Sequence, residues 1–194
     1  MATYVIDLTH LLDENGLPPV DAPRALLKAL AFYGSIVNAG SAHPAGTRFP
    51  SMIRCRRRAA KSRLTITHGG DGTICWECPE CGDNGYISKW QGTDYDLGAV
   101  VEPDPSRRIG VPIAADEHEL LSGIVVASRE EAAIIAGGMV TEQEVWISGR
   151  DEDFEELLGS IAFDANHTRS AKRRQVMDVI YGKVQRMLAE SGSG

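Results

Sequence analysis

The feature that most constrains the fold of this chain is a Cys-x-x-Cys-Gly turn at residues 78–82, which directly follows a strand-like segment at residues 73–77. Two thiolates on such a turn can bind one metal ion, and zinc is the metal that this arrangement favours most. All 4 cysteines of the chain lie between Cys55 and Cys81, which favours a single local site. The sequence therefore predicts a small module that is held together by a structural zinc ion.

A structural zinc site has four ligands arranged as a tetrahedron. The predicted metal ligands are Cys55, Cys78, Cys81 and Cys75, with His68 as the alternative fourth ligand. Cys75 and Cys78 are three residues apart, so on a straight strand their side chains point to opposite faces, and Cys75 can bind the metal only if the backbone turns between them. His68 lies at the tip of a predicted hairpin, from which it can fold back to the site.

An incomplete site is the alternative that the spacing leaves open. Cys55 is followed by three arginines and not by a second cysteine two residues later. The module then holds three cysteine ligands, or a metal-free thiol cluster packed by Trp76 and Ile87. A redox role for the Cys78–Cys81 pair is disfavoured, because redox pairs of this spacing usually begin a helix, whereas this pair follows a strand.

Two stretches around the cysteines carry a specific pattern. Residues 53–58 read Ile-Arg-Cys-Arg-Arg-Arg, and residues 76–93 contain Trp-x-Cys-Pro-x-Cys-Gly-Asp-x-Gly-x-Ile-Ser-x-Trp-x-Gly-Thr. This pattern resembles a group of small uncharacterised bacterial proteins with a zinc-ribbon-like core. In that group the arginine-rich loop after the first cysteine ends in a second cysteine, and residues 59–64 of this chain contain none. The resemblance implies a bacterial origin and a zinc-ribbon-like module, and it implies no activity.

Hydrophobic periodicity predicts an α+β protein with two parts. Residues 1–101 combine an N-terminal helix with a small antiparallel zinc-ribbon-like sheet, and residues 102–107, with two prolines and two acidic residues, form a linker. Residues 108–190 form an acidic α/β unit that ends in helices. Asp21 and Gly40 are the predicted caps of the N-terminal helix, and residues 123–127 read as a strand. Whether residues 151–188 form one helix or two stays open.

The charge distribution provides a second candidate site. The net charge is −7, and residues 101–194 account for it with 10 basic and 17 acidic side chains. Against this acidic background, one loop is strongly basic, and it contains Arg54, Arg56, Arg57, Arg58, Lys61 and Arg63. Arginine forks match phosphate oxygens, so this loop is the predicted site in the alternative that the protein binds nucleic acid. The opposing interpretation is that acidic neighbours such as Asp83 neutralise the loop.

Several classes of function are disfavoured by what the sequence lacks. It contains no Gly-rich phosphate loop, nucleophile elbow or His-Glu-x-x-His motif. It has no visible signal peptide and no apolar run near the ~18 residues that span a bilayer, so we expect a cytoplasmic protein without a membrane partner. We therefore predict a non-enzymatic adaptor or regulator that binds another protein, or itself, through its C-terminal helices. Nucleic-acid binding is the alternative, and an enzyme of unknown class is the third possibility.

Overall fold

The computed structural model describes residues 1–57, 60, 62–98, 108–141 and 144–191. The chain divides into two compact units, Met1–Ala99 and Val100–Gly194. Each unit contains helices and one small sheet, so the predicted α+β class is confirmed. The predicted linker at residues 102–107 lies outside the described residues, as do Arg58 and Lys61 of the basic loop. Among the described residues, no helix is both long and apolar enough to cross a membrane.

The N-terminal unit is built from one long helix and a five-stranded sheet. A short 3-10 helix, Leu8–Leu11, follows the first strand. The other elements in chain order are β1 (Thr3–Asp7), α1 (Arg24–Ser41), β2 (Arg48–Arg54), β3 (Arg63–His68), β4 (Ile74–Glu77) and β5 (Asn84–Ser88). The strand order in the sheet is β1-β5-β4-β3-β2, so the four later strands form a meander of antiparallel neighbours.

The sheet is larger than the sequence predicted, and it is not purely antiparallel. Strand β1 lies parallel to β5, with Thr3 opposite Asn84 and Asp7 opposite Ser88. A parallel pair needs a long connection, and the chain between β1 and β5 provides one that includes α1 and three strands. The pairing also covers the edge that β5 would otherwise expose. The predicted small antiparallel sheet is therefore corrected to a mixed sheet of five strands.

Helix α1 covers one face of this sheet at very short range. Ile66, Ile74 and Ile87 project from that face and are fully buried. Gly40 lies inside α1, which ends at Ser41, so the predicted role of Gly40 as the helix cap is wrong. A Cβ atom at residue 40 would lie only 2.8 Å from Ile74 Cγ2, so glycine is needed for close packing of the helix on β4. The helix also begins later than expected, at Arg24 with Pro23 as its N-cap residue, and not at Asp21.

In its described residues, the C-terminal unit combines four helices with a three-stranded antiparallel sheet. The strand order is β6-β8-β7. Its elements are β6 (Ile109–Ile113), α2 (Ala115–Leu121), α3 (Arg129–Ala136), β7 (Met139–Val140), β8 (Val145–Gly149), α4 (Asp151–His167) and α5 (Ala171–Ser191). The C-terminal end is therefore two helices, which answers the question that the sequence left open. The break falls at Thr168, whose backbone is extended.

The predicted strand at residues 123–127 is not present. The backbone N–H groups of Gly123 and Ile124 instead donate to the carbonyls of Leu120 and Leu121, so the chain continues α2 as a tight turn. The Ala127 N–H then donates to the side chain of Glu131 at 2.9 Å. These local hydrogen bonds satisfy backbone groups that a sheet would otherwise pair, which is why an apolar run alone does not produce a strand here.

Candidate metal centre

Three of the predicted ligands meet at one end of the five-stranded sheet. Cys55 directly follows β2, and Cys78 and Cys81 lie on the turn between β4 and β5. Strands β2 and β4 both flank β3 and run in the same direction, so their carboxyl ends lie at the same end of the sheet. The Sγ atoms of the three cysteines all lie within 4.8 Å of one another. Such a cluster is able to hold a metal ion.

Backbone hydrogen bonds fix the Cys-x-x-Cys turn. The Cys78 N–H donates to the Asp83 carbonyl at 2.7 Å, and the Gly82 N–H donates to the Cys78 carbonyl at 2.9 Å. Gly82 has a φ of +72°, a conformation that L-residues with a side chain rarely adopt. The Asp83 carboxylate secures the turn from the outside, because it accepts the Ala2 N–H at 2.7 Å and pairs with Arg57 at 2.7 Å.

Ser62 lies against the cluster and places its hydroxyl beside the sulfur of Cys78. Its Oγ lies 3.1 Å from the Sγ of Cys78, and its carbonyl accepts the backbone N–H of Cys55 at 3.1 Å. The Ser62 N–H donates to Glu80 at 3.0 Å, which anchors the end of the arginine-rich loop to the turn. Sequence reasoning missed Ser62. The available signal was a hydroxyl-bearing residue near the end of the arginine-rich loop.

The other two predicted ligands lie elsewhere. Cys75 is in the middle of β4, which stays straight, so its side chain points away from the face that Ile74 and Trp76 share. Its Sγ contacts Thr73 Oγ1 at 3.8 Å. His68 is at the end of β3, where its Nδ1 donates to the His43 carbonyl at 2.7 Å. Among the described residues, neither belongs to the group of close potential ligands.

The thiols of the cluster differ in acidity. Burial raises the pKa of Cys55 to about 11. Burial acts in the same direction on Cys78, but hydrogen bonds from the Ser62 hydroxyl and the Cys81 N–H more than offset it and lower the pKa of Cys78 to about 7. The thiolate is the form that binds metals, and these hydrogen bonds favour that form at Cys78.

The sulfur geometry fits a tetrahedral metal site. Zinc–sulfur bonds of about 2.3 Å place neighbouring sulfurs of a tetrahedron about 3.8 Å apart. Cys55 Sγ and Cys81 Sγ are separated by 3.7 Å. Three sulfur donors are a soft ligand set, which favours zinc, copper(I) or iron–sulfur clusters over magnesium or calcium. The residues present therefore fit a thiophilic metal ion with three cysteine ligands.

The basic loop beside the cluster is partly engaged within the protein. The Arg57 guanidinium pairs with Asp83, the acidic neighbour that the sequence had indicated. The Arg56 guanidinium carbon lies 5.0 Å from the centre of the Phe32 ring. Arg54 and Arg63 are opposite each other on β2 and β3. Of the four described basic residues in this loop, at least Arg57 is therefore already neutralised by a carboxylate.

A second basic group, in the C-terminal unit, joins two helices. Arg173 binds both carboxylate oxygens of Asp164, at 2.7 and 3.0 Å. Arg174 donates to the carbonyls of Ala165 and Thr168 at the end of α4. The His167 ring nitrogen Nδ1 donates to the Phe163 carbonyl at 2.7 Å. These residues stabilise the turn between α4 and α5.

Comparison of the chain with models of protein families, with curated proteins and with solved structures gave no match. The function must therefore be inferred from the geometry of the described residues. That geometry defines an α+β protein with a cluster of three cysteines that is able to bind a metal ion.

Proposed function

We propose that this protein is a non-enzymatic adaptor or regulator that holds a structural zinc ion on Cys55, Cys78 and Cys81. We further propose that it binds a partner protein through its C-terminal unit. The observation that carries the proposal is an open apolar groove of about 630 Å³ along helix α4. The zinc-ribbon-like relationship, the bacterial origin and the cytoplasmic location predicted from the sequence belong to the same proposal.

One wall of the groove is a continuous face of α4. Glu156, Gly159, Ser160 and Phe163 line it, and their spacing of three and four residues places them on one side of the helix. Phe163 is 60% exposed. A Cβ atom at residue 159 would meet nothing within 4 Å, so the α4 backbone is open to a close approach at this point.

The opposite wall is the turn that follows α2, together with the start of α3. Val125 lies there and is 81% exposed. The buried Glu131 carboxylate accepts the Ser160 hydroxyl at 2.8 Å and so connects the two walls. Exposed apolar side chains on both walls of one groove are typical of a surface that a partner covers.

The charge of this unit indicates what kind of partner fits. Residues 101–194 carry the net charge of −7, and exposed acidic side chains of α4, including Glu155 and Glu156, lie at or near the groove. Complementary charge speeds association and fixes orientation. The fitting occupant is therefore a partner segment with an apolar anchor for the groove and flanking basic residues. An amphipathic helix with such residues is a common form of this recognition.

Replacing Gly159 with leucine should abolish partner binding without harming the fold. The side chain fills the groove, whereas the change from glycine to leucine in a helix is itself stabilising by roughly 0.5–1 kcal/mol. Gly182→Leu is the matched control, because Gly182 is also helical, on α5, and a Cβ atom there also meets nothing within 4 Å. Affinity purification from the native host, followed by calorimetry with the purified partner, measures the effect.

The proposal is supported if a purified partner binds the wild type and Gly182→Leu with similar affinity and binds Gly159→Leu at least tenfold more weakly. A partner whose affinity is the same for all three proteins contradicts the groove. The groove could instead be filled by a second copy of this chain, and light scattering measures the oligomeric state that tests this. A dimer that Gly159→Leu dissociates shows that a second copy of this chain fills the groove, which replaces the adaptor with self-association.

The position of Ser62 provides a separate test of the metal site. Ser62→Cys places a fourth sulfur next to Cys78 and should tighten zinc binding at least tenfold, since four thiolates are a complete structural set. Competition with a chromophoric chelator measures the affinity. Ser35→Cys is the matched control, because Ser35 is exposed on α1 and its hydroxyl donates within the helix, to Ala31. Equal affinity of Ser62→Cys and the wild type would show that Ser62 does not lie at a ligand position.

Nucleic-acid binding by the basic loop has weaker support. Arg57 is paired with Asp83, so at least one of the described arginines of the loop is already neutralised within the protein. Phosphate binding depends on the number of charges that are neutralised. A protein partner for the acidic unit is therefore the function that the geometry favours.

A further inference from the structure

A second cavity lies at the metal-binding end of the N-terminal unit. It is a cleft of about 330 Å³ that Cys55 lines, whereas Cys78 and Cys81 are not among its lining residues. Four aromatic side chains contribute to its walls, and they are Tyr4, Phe32, Tyr33 and Trp76. The cleft plays no part in partner binding by α4, and a structural metal site does not require it.

The aromatic walls depend on a glycine in the sheet. Gly85 on β5 lies between Tyr4 on β1 and Trp76 on β4, in register with both. Because Gly85 has no side chain, the two rings close over it and stack at 5.7 Å. A Cβ atom at residue 85 would lie 2.7 Å from Trp76 Nε1, so the indole ring is held in place at close range. The Phe32 ring meets Trp76 edge-on at 5.8 Å.

The buried indole N–H group of Trp76 destabilises the fold. The residue is only 5% exposed, and in the described part of the chain its Nε1 has no hydrogen-bond partner. A buried donor without an acceptor costs about 1–3 kcal/mol. The fold accepts this cost at a wall of the cleft, which Trp76 lines together with the more exposed Tyr4 ring. Native proteins seldom leave a buried donor unpaired, and here the unpaired indole lines a cleft.

The charged residues of the cleft leave one cation uncompensated. Asp83 is buried, and its charge is balanced by Arg57 at 2.7 Å. Arg56 is exposed, lies 5.0 Å from the centre of the Phe32 ring, and also interacts with the Tyr33 hydroxyl. Within the described residues, no carboxylate pairs with Arg56. The cleft therefore has a net positive charge at Arg56 beside aromatic surfaces.

We propose that this cleft binds a small planar aromatic anion. Its ring packs against the aromatic walls, and its carboxylate or phosphate is bound by the Arg56 guanidinium, whose planar fork matches both groups. The volume lies at the lower end of the range for small-molecule sites, so it admits one aromatic ring system with its anionic group and excludes larger ligands.

Calorimetry of the full chain with four probes tests the proposal. Benzoate and indole-3-acetate present a carboxylate, whereas adenosine and uridine 5′-monophosphates present a phosphate. Comparison of the two pairs of probes therefore shows which anionic group the cleft binds. At least one probe should bind, and Arg56→Gln should weaken that binding at least tenfold. Arg54→Gln is the matched control, because Arg54 is an exposed arginine two residues away that does not line the cleft. It should change the affinity less than twofold.

Three outcomes would overturn the proposal. They are the absence of binding for all four probes at millimolar concentration, an equal loss of affinity in Arg54→Gln and Arg56→Gln, and binding of single-stranded oligonucleotides without binding of either mononucleotide. Metal content and thermal melting of both variants are measured alongside. Because both arginines are exposed, we expect both quantities to be unchanged, so a loss of affinity reports on the cleft and not on folding.

Discussion

Replacing Cys78 with serine should release the metal ion and unfold the N-terminal unit at a temperature well below that of the wild type. Cys78 is 1% exposed and belongs to both the hydrophobic core and the sulfur cluster. Structural zinc supplies about 10–16 kcal/mol in small modules that fold only with metal. This unit has its own core, so part of its stability is independent. A loss of even about 3 kcal/mol lowers the melting temperature of a domain of this size by roughly 12–24 °C.

Elemental analysis and hydrogen exchange measure the result. The wild type should contain about one zinc ion per chain, and Cys78→Ser should contain little. Exchange protection should fall in β3, β4 and β5 and persist in the C-terminal unit, which serves as an internal reference.

Cys75→Ser is the matched control for this prediction. Cys75 lies on the same strand-to-turn segment but outside the sulfur cluster, so we expect its replacement to leave metal content and melting unchanged. A metal-free wild type that melts at the same temperature as Cys78→Ser would refute the site. A loss of metal in Cys75→Ser would show that the fourth ligand is Cys75 after all.

The second large effect is expected from Gly40→Ala. Alanine is favoured over glycine in a helix by about 0.8–1 kcal/mol, so local propensity predicts stabilisation. The new methyl group, however, would lie 2.8 Å from Ile74 Cγ2 and 2.9 Å from its Cδ1, and both residues are buried. Overpacking of this kind costs about 1–3 kcal/mol. We therefore expect net destabilisation, measured as the free energy of unfolding in urea.

The effect of Gly40→Ala on stability should reverse when Ile74 is also replaced. Ile74→Ala removes the three atoms that clash with the new methyl group, so Gly40→Ala in that background should be neutral or stabilising by up to about 1 kcal/mol. Gly182→Ala, at an open position on α5, should stabilise the protein in any background. If Gly40→Ala stabilises the wild type as Gly182→Ala does, α1 does not pack on β4 at this distance.

Local signals explain which parts of the fold were predictable. The hairpin between β3 and β4 follows from a glycine-rich turn, and Gly72 indeed adopts a φ of +79°. Apolar residues at helical spacing indicate α1, and three acidic residues in the first turn of α4 suit the positive end of its helix dipole. Each of these signals lies within a few residues of the structure that it specifies.

The errors share a different cause. The pairing of β1 with β5 joins residues about 80 positions apart, and the sequence of neither strand predicts which strand it pairs with. The sequence predicts Gly40 as a cap because glycine commonly ends a helix, whereas the atoms that require glycine here belong to Ile74. At residues 123–127, hydrogen bonds to α2 and to Glu131 outweighed the strand propensity of two valines.

At the cysteine turn too, the sequence determined some contacts and only the tertiary structure decided the others. The sequence alone determined that Cys78 and Cys81 face one point, because a Cys-x-x-Cys-Gly turn has few conformations. Only the tertiary structure decided that Cys55 joins them, that Cys75 does not, and that the Ser62 hydroxyl lies 3.1 Å from the Cys78 Sγ. The physical reason is that spacing along the chain fixes contacts within a turn, whereas contacts between strands depend on the order and direction in which the sheet assembles.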